Sequence, residues 1–107
     1  MINIKNKVQL VGPVSNTEVY ETKSGLLYST FQITTEETFF TKEGEEVRQL
    51  VKHACISYNK QAVFLRDRVN TGDMMVVEGR LIQLPTKKKS KVQYETVVCI
   101  NELLRLT

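Results

Sequence analysis

The sequence contains no tryptophan, one histidine (His53) and two aspartates, Asp67 and Asp73. With one imidazole and no paired aspartates, the side chains for nucleophile–base–orienter chemistry are missing, so no enzyme activity is expected. No glycine-rich phosphate loop is present. A structural zinc site needs about four closely spaced ligands. Only Cys55, Cys99 and His53 could contribute, so no metal and no cofactor are expected. Both cysteines sit in apolar, strand-like runs and read as small buried hydrophobes with reduced thiols. A disulfide would suit an exported protein. Met1–Lys5 lacks the apolar stretch of an export signal, so a cytoplasmic location is expected. No apolar run approaches the ~20 residues of a membrane helix, and no membrane partner is expected.

What is present fits one globular domain over residues 1–107. The chain is 41% hydrophobic and 25% charged, which is too apolar for wholesale disorder. Residues 4–12 begin with polar–apolar alternation and read as a strand ending at Gly12-Pro13. Residues 18–22 form a short extended piece before a turn at Lys23-Ser24-Gly25. Residues 26–35 are rich in Leu, Tyr, Phe, Ile and Thr, a strand composition. Residues 36–46 are polar and centred on Lys42-Glu43-Gly44-Glu45, a hairpin loop or its flanks. Residues 47–58 read as a third strand.

The period then changes. Ala62, Leu65, Arg66 and Val69 recur at helical spacing over residues 60–70, with Asn59 as N-cap and Gly72 as stop. Residues 73–83 alternate again. Pro85 and the run Lys87-Lys88-Lys89-Ser90-Lys91 interrupt them, and residues 92–104 form a last strand. Five strands with one helix between the third and fourth is the element order of an OB-fold, an all-β Greek-key barrel. Gly79 in mid-strand suits the bend of such a barrel.

The net charge of +3 conceals a division. Residues 1–46 carry four Lys and seven Glu; residues 47–91 carry ten Lys/Arg and three Asp/Glu. The basic block falls on the third strand, the helix and the last hairpin. Loops of an OB-fold flank its binding face, so the lysine-rich tip reads as an arm that tracks phosphates without sequence preference. Arg80 on the fourth strand joins that set. Bases stack on exposed rings. Phe31 reads as core, and Phe64 leans to core. Phe39 and Phe40 are adjacent on a strand and point to opposite faces, so at least one ring should be exposed. Tyr58, beside Asn59-Lys60, suits a nucleotide platform. Tyr28 and Tyr94 are left open.

These residues resemble the bacterial single-stranded DNA-binding protein (SSB) family, in a short form. Asn6–Gly12 resembles the family's opening strand, Glu18–Gly25 its next segment and Phe31–Thr35 its second-strand pattern. Lys52–Ala62 resembles its Trp-His-x-x-x-x-aromatic-x-Lys-x-Ala stretch. Gly72–Leu81 follows its Gly-to-Glu-Gly-x-Leu pattern. The likeness runs from about Lys5 to Leu104. It implies a homotetramer, or at least a dimer, that binds single-stranded DNA in replication, recombination and repair. Stacking aromatics then fall on Phe39 and Tyr58, and phosphate-contacting lysines on Lys7 and Lys60. His53 takes the family's histidine position and reads as a hydrogen-bonding strand residue.

The departures are specific. Lys52 stands where the family has Trp, and Thr86 stands near its hairpin Trp. Lys52 and the Lys87, Lys88, Lys89 and Lys91 cluster would compensate electrostatically. The family's acidic tail has no counterpart after Leu104, so recruitment of repair proteins by that route is not expected. The resulting DNA-binding set is Lys7, Phe39, Phe40, Lys52, Tyr58, Lys60, Arg80, Lys87, Lys88, Lys89 and Lys91. An alternative resemblance is to primosomal replication protein N, an SSB relative acting mainly through protein contacts. Finally, Ile2, Ile4, Val8 and Leu10 share one parity of the opening strand. That face should be buried in the core or against another subunit, and an oligomer built partly through this strand is expected.

Overall fold

The computed structural model describes residues 5–106, apart from the side chains of Lys87 and Lys88. The elements are β1 (Val8–Glu21), β2 (Leu27–Phe40), β3 (Glu46–Tyr58), α1 (Lys60–Arg68), β4 (Met74–Lys88) and β5 (Lys91–Arg105). The strands close into a barrel in the order β1-β2-β3-β5-β4. Among the described residues only the β3–β5 contact is parallel. This is the expected OB-fold.

The strands are longer than local composition indicates. β1 does not end at Gly12-Pro13. There it changes partner instead: residues 8–13 pair with β4 and residues 14–21 with β2. A Cβ on Gly12 would lie 2.0 Å from the Thr34 carbonyl oxygen, so glycine lets β1 cross β2 at close range. An irregularity between Ser15 and Glu18 follows, with Asn16 at φ 53°.

Residues 36–40 are the strand flank of the hairpin, since they pair with Glu46–Leu50 of β3. The turn itself is confined to residues 41–45. The Gly44 and Glu45 amides donate to the Thr41 carbonyl oxygen (2.9 Å) and Oγ1 (3.1 Å). β4 likewise runs through Pro85 to Lys88. Beyond Gly79 no strand covers its second edge among the described residues. Asn6 bonds both backbone groups of Leu81 on that edge, at 2.8 Å each. Pro85, four residues on, aims its nitrogen the same way, where a missing N–H breaks no ladder bond. The tip residues Lys89 and Ser90 have φ 50° and 66°, a two-residue turn of the I′ kind.

The helix is shorter than expected, ending at Arg68. Asn59 does not cap it with its side chain. At φ 56°, ψ −120° its backbone is committed to turning β3 into α1, and its carbonyl accepts from Val63 at 3.1 Å. Gly72, at φ 96°, shapes the later turn into β4 and donates to the Val14 carbonyl.

Alternation buries Val14, Phe31, Ile33, Cys55, Met75, Val77, Val98 and Ile100 inside the barrel, closed by Leu65 of α1. Phe64 packs against this core, as do Val8 and Leu10. The apolar parity of the opening strand therefore faces the barrel interior, because the β4 pairing turns it inward. Ile2 and Ile4 lie outside the described residues. The outward apolar row has the opposite parity: exposed Val11 and Leu104 flank half-buried Val76 as register neighbours on β1, β5 and β4, beside exposed Met74 and Leu106. Cys55 and Cys99 are both buried and free, as expected. Burial pushes the Cys55 thiol up to about 12.

Candidate nucleic-acid interface

The outward face of β3 carries Lys52, Ala54, Ile56 and Tyr58 at every second position. Their direct partners on β2 are Thr34, Gln32, Thr30 and Tyr28, and Tyr28 in turn faces Tyr20 on β1. Cross-strand partners share a face, so three tyrosines form one row across three strands. The Tyr20 and Tyr28 rings are stacked at 5.2 Å between centroids, and Tyr28 and Tyr58 are tilted at 6.4 Å.

Below the row lies a second apolar cluster outside the barrel. Ile56, Val97 and Cys99 are buried, and Tyr28, Ala54, Tyr58, Ile82 and Leu84 pack against them. The β4–β5 arm overhangs this floor. Leu84, Pro85, Thr86, Glu95 and Val97 face Thr30, Gln32, Ala54 and Ile56 across a groove of about 420 Å³, with Asn16 and Glu18 at its β1 rim. A concave apolar floor with polar walls is what an unstacked base can enter.

Cations border the floor. Arg80 pairs with Cys99, contacts the Asn101 amide oxygen at 3.4 Å and exerts a positive field on Tyr58. Burial outweighs that field and holds the Tyr58 phenol above its ordinary value, so it stays neutral. Lys60 is exposed at the start of α1, two residues past Tyr58. Lys52 is exposed on the same face as Tyr58. Lys7 is exposed but pairs with Glu78 at 3.2 Å, two residues along β4 from Arg80. Lys89 and Lys91 are exposed at the tip of the overhanging arm, where the backbones of Lys87 and Lys88 continue β4. The imidazole of His53 bonds Thr35 Oγ1 at 2.8 Å, the strand role expected of it.

The two phenylalanines stand elsewhere. Phe39 pairs with Val47 on the parity of the barrel interior, and Phe40 pairs with Glu46 on the parity of the tyrosine row. Both are exposed, at 46% and 70%. Twelve residues of extended strand separate Phe40 from Tyr28, about 40 Å at ~3.3 Å per residue. Their arm is acidic: Glu36, Glu37, Glu43, Glu45 and Glu46 outnumber Lys42 and Arg48, and Arg48 is held by Glu36 and Glu46. The candidate residues thus separate: Tyr58, Arg80 and Lys52 lie around the floor, Phe39 and Phe40 on one arm and the lysine tip on the other, while Lys7 is paired with Glu78 and Lys60 borders a separate hollow with Gln61, Phe64, Glu102 and Leu103.

Sequence reasoning left out Tyr20, Tyr28 and the apolar floor. The signal for two of them was present. A turn centred on Ser24 places residue 20 opposite residue 28, and both are tyrosine. Their meeting with Tyr58 depends on the β2–β3 register, which no local pattern encodes.

A closed OB barrel with an aromatic row and cations over an apolar floor defines an oligonucleotide-binding class of domain. The chain belongs to the Single-strand binding protein family, which matches residues 5–106. That family is defined by binding rather than by catalysis. Solved structures share the fold. A deletion mutant of the single-stranded DNA-binding protein from Thermus aquaticus superposes with a TM-score of 0.84 at 23% identity, over 96% of this chain and 51% of that one. This chain therefore spans about half the length of that relative. The Plasmodium falciparum SSB, solved in complex with single-stranded DNA, superposes with a TM-score of 0.83 at 23% identity, over 99% of this chain and 100% of that one.

Proposed function

We propose that this protein binds single-stranded DNA without sequence preference, in replication, recombination or repair in the cytoplasm. The observation that carries the reading is the groove: an apolar, aromatic floor with Lys52 on its β3 face and Arg80 beside Tyr58 and Cys99, overhung by a lysine-tipped arm. Bases lie against the floor and the rings, while cations meet phosphates. Phe39 and Phe40 extend the base path along the β2–β3 arm, whose acidic side chains discourage backbone contacts there. Lys52 in place of an indole shifts part of the affinity from stacking to charge. Lys7, Lys87, Lys88, Lys89 and Lys91 supply further phosphate contacts.

The protein acts as a homo-oligomer, a tetramer in preference to a dimer. Exposed Val11 and Leu104 around half-buried Val76, flanked by exposed Met74 and Leu106, give an apolar strip on the side of β1 and β4 that a second copy could cover. The test is fluorescence anisotropy of labelled oligo-dT across a salt series, with light scattering for mass. Steeply salt-dependent binding is expected. It should weaken in Phe39→Ala and in a Lys87/Lys88/Lys89 charge reversal. Salt-insensitive binding, or affinity untouched by both changes, refutes the site. A monomer at micromolar concentration refutes the assembly.

A further inference from the structure

We propose that Tyr20 and Tyr28 extend the base-stacking surface from Tyr58 across β2 to β1, so that the three rings act as one platform. The proposal rests on the DNA-binding reading above and names residues that the family resemblance leaves unassigned.

Three observations carry it. The rings are register partners on adjacent strands, so the backbone itself holds them side by side. Tyr20 and Tyr28 are already stacked at 5.2 Å, and the row continues to Tyr58 at 6.4 Å. Rings ordered in this way lose little further freedom when a base joins them. Finally, Tyr20 is 41% exposed at the open end of the row, although an aromatic of this size gains by burial.

The ends of the row differ in charge. Arg80 lies at the Tyr58 end, whereas Tyr20 bonds through its hydroxyl to the Glu18 carboxylate, which raises the phenol above its ordinary value. A phosphate is favoured beside Arg80 and disfavoured beside Glu18. The Tyr20 end therefore meets bases rather than backbone.

The experiment compares wild type, Tyr20→Leu and Tyr20→Phe on oligo-dT and on an abasic deoxyribose-phosphate strand of equal length. Tyr20→Leu should bind oligo-dT roughly 5- to 150-fold more weakly, the range for one lost base–aromatic stack. It should bind the abasic strand as wild type does. Tyr20→Phe keeps the ring and should keep the affinity. The chain has four tyrosines and no tryptophan, so tyrosine emission reports directly on the row. Oligo-dT should quench it less in Tyr20→Leu. Wild-type affinity in Tyr20→Leu, or equal weakening on both strands, overturns the platform while DNA binding stands. Failure of the wild type to bind either strand overturns the underlying reading instead.

Discussion

Replacing Lys52 with tryptophan separates charge from stacking at one site. Lys52 is exposed on the groove face of β3, opposite Thr34, and makes no ion pair among the described residues. An indole there meets a β-branched partner and open solvent, so the fold should accept it. One phosphate contact to a single strand contributes about 0.7 to the slope of log K against log salt. That is about 0.9 log units at 50 mM salt and about 0.5 at 200 mM. A base–aromatic stack, as measured in proteins of this kind, adds about 1–3 kcal/mol, or about 0.7–2.2 log units.

Lys52→Trp should therefore bind oligo-dT about 2- to 50-fold more tightly at 200 mM. At 50 mM the outcome ranges from slightly weaker to about 20-fold tighter. The stacking term cancels in the ratio: the gain at 200 mM should exceed that at 50 mM by about 2.5-fold. Anisotropy at the two salts measures this, and the new indole reports binding by its own quenching. An unchanged salt slope would show that Lys52 touches no phosphate. Weaker binding at both salts would show that the Lys52 position lies off the base path.

Two further predictions concern the frame beneath the site. A Cβ on Gly79 would lie 2.1 Å from the Cys99 carbonyl oxygen, at the bulge where β4 bends. Gly79→Ala should cost about 2–3 kcal/mol, because backbone rather than a flexible side chain must move. Its urea midpoint should fall by about 1 M or more, and an unchanged midpoint would mean that the close approach is not real. The Cys55 thiol is held up to about 12 from an ordinary 9.0. Between those values the unfolded chain has released a proton that the folded chain retains, so stability falls as pH rises from 9. The full effect is up to about 4 kcal/mol, and Cys55→Val should flatten the decline. An identical pH slope in that variant would assign the decline to other groups.

The extents of the strands show where local reading stops. Residues 36–40 and 84–88 run out onto arms where charged residues and Pro85 break the alternation that marks a half-buried strand. Their strand character comes from partners on β3 and β5. The parity of the opening strand was legible, but its direction was not. Val8 and Leu10 face inward and Val11 outward because β4 pairs with them in one register. Both faces of that strand carry apolar residues, so alternation alone does not say which is the barrel interior.

By itself the sequence determined the element order, the turns at residues 23–25 and 42–45, the core roles of Phe31 and both cysteines, and the family to which the chain belongs. These are properties of short windows: periodicity, turn chemistry and ordered motifs. Only the tertiary structure decided that Tyr20, Tyr28 and Tyr58 stand in one row. It also decided that Phe39 and Phe40 lie on a separate acidic arm and that Leu84 to Thr86 wall a groove. The reason is that strand register is a long-range choice. It is set by how the barrel closes around its core, and it brings together groups far apart in the chain, as in the bonds of the Asn6 side chain to the Leu81 backbone, 75 positions away.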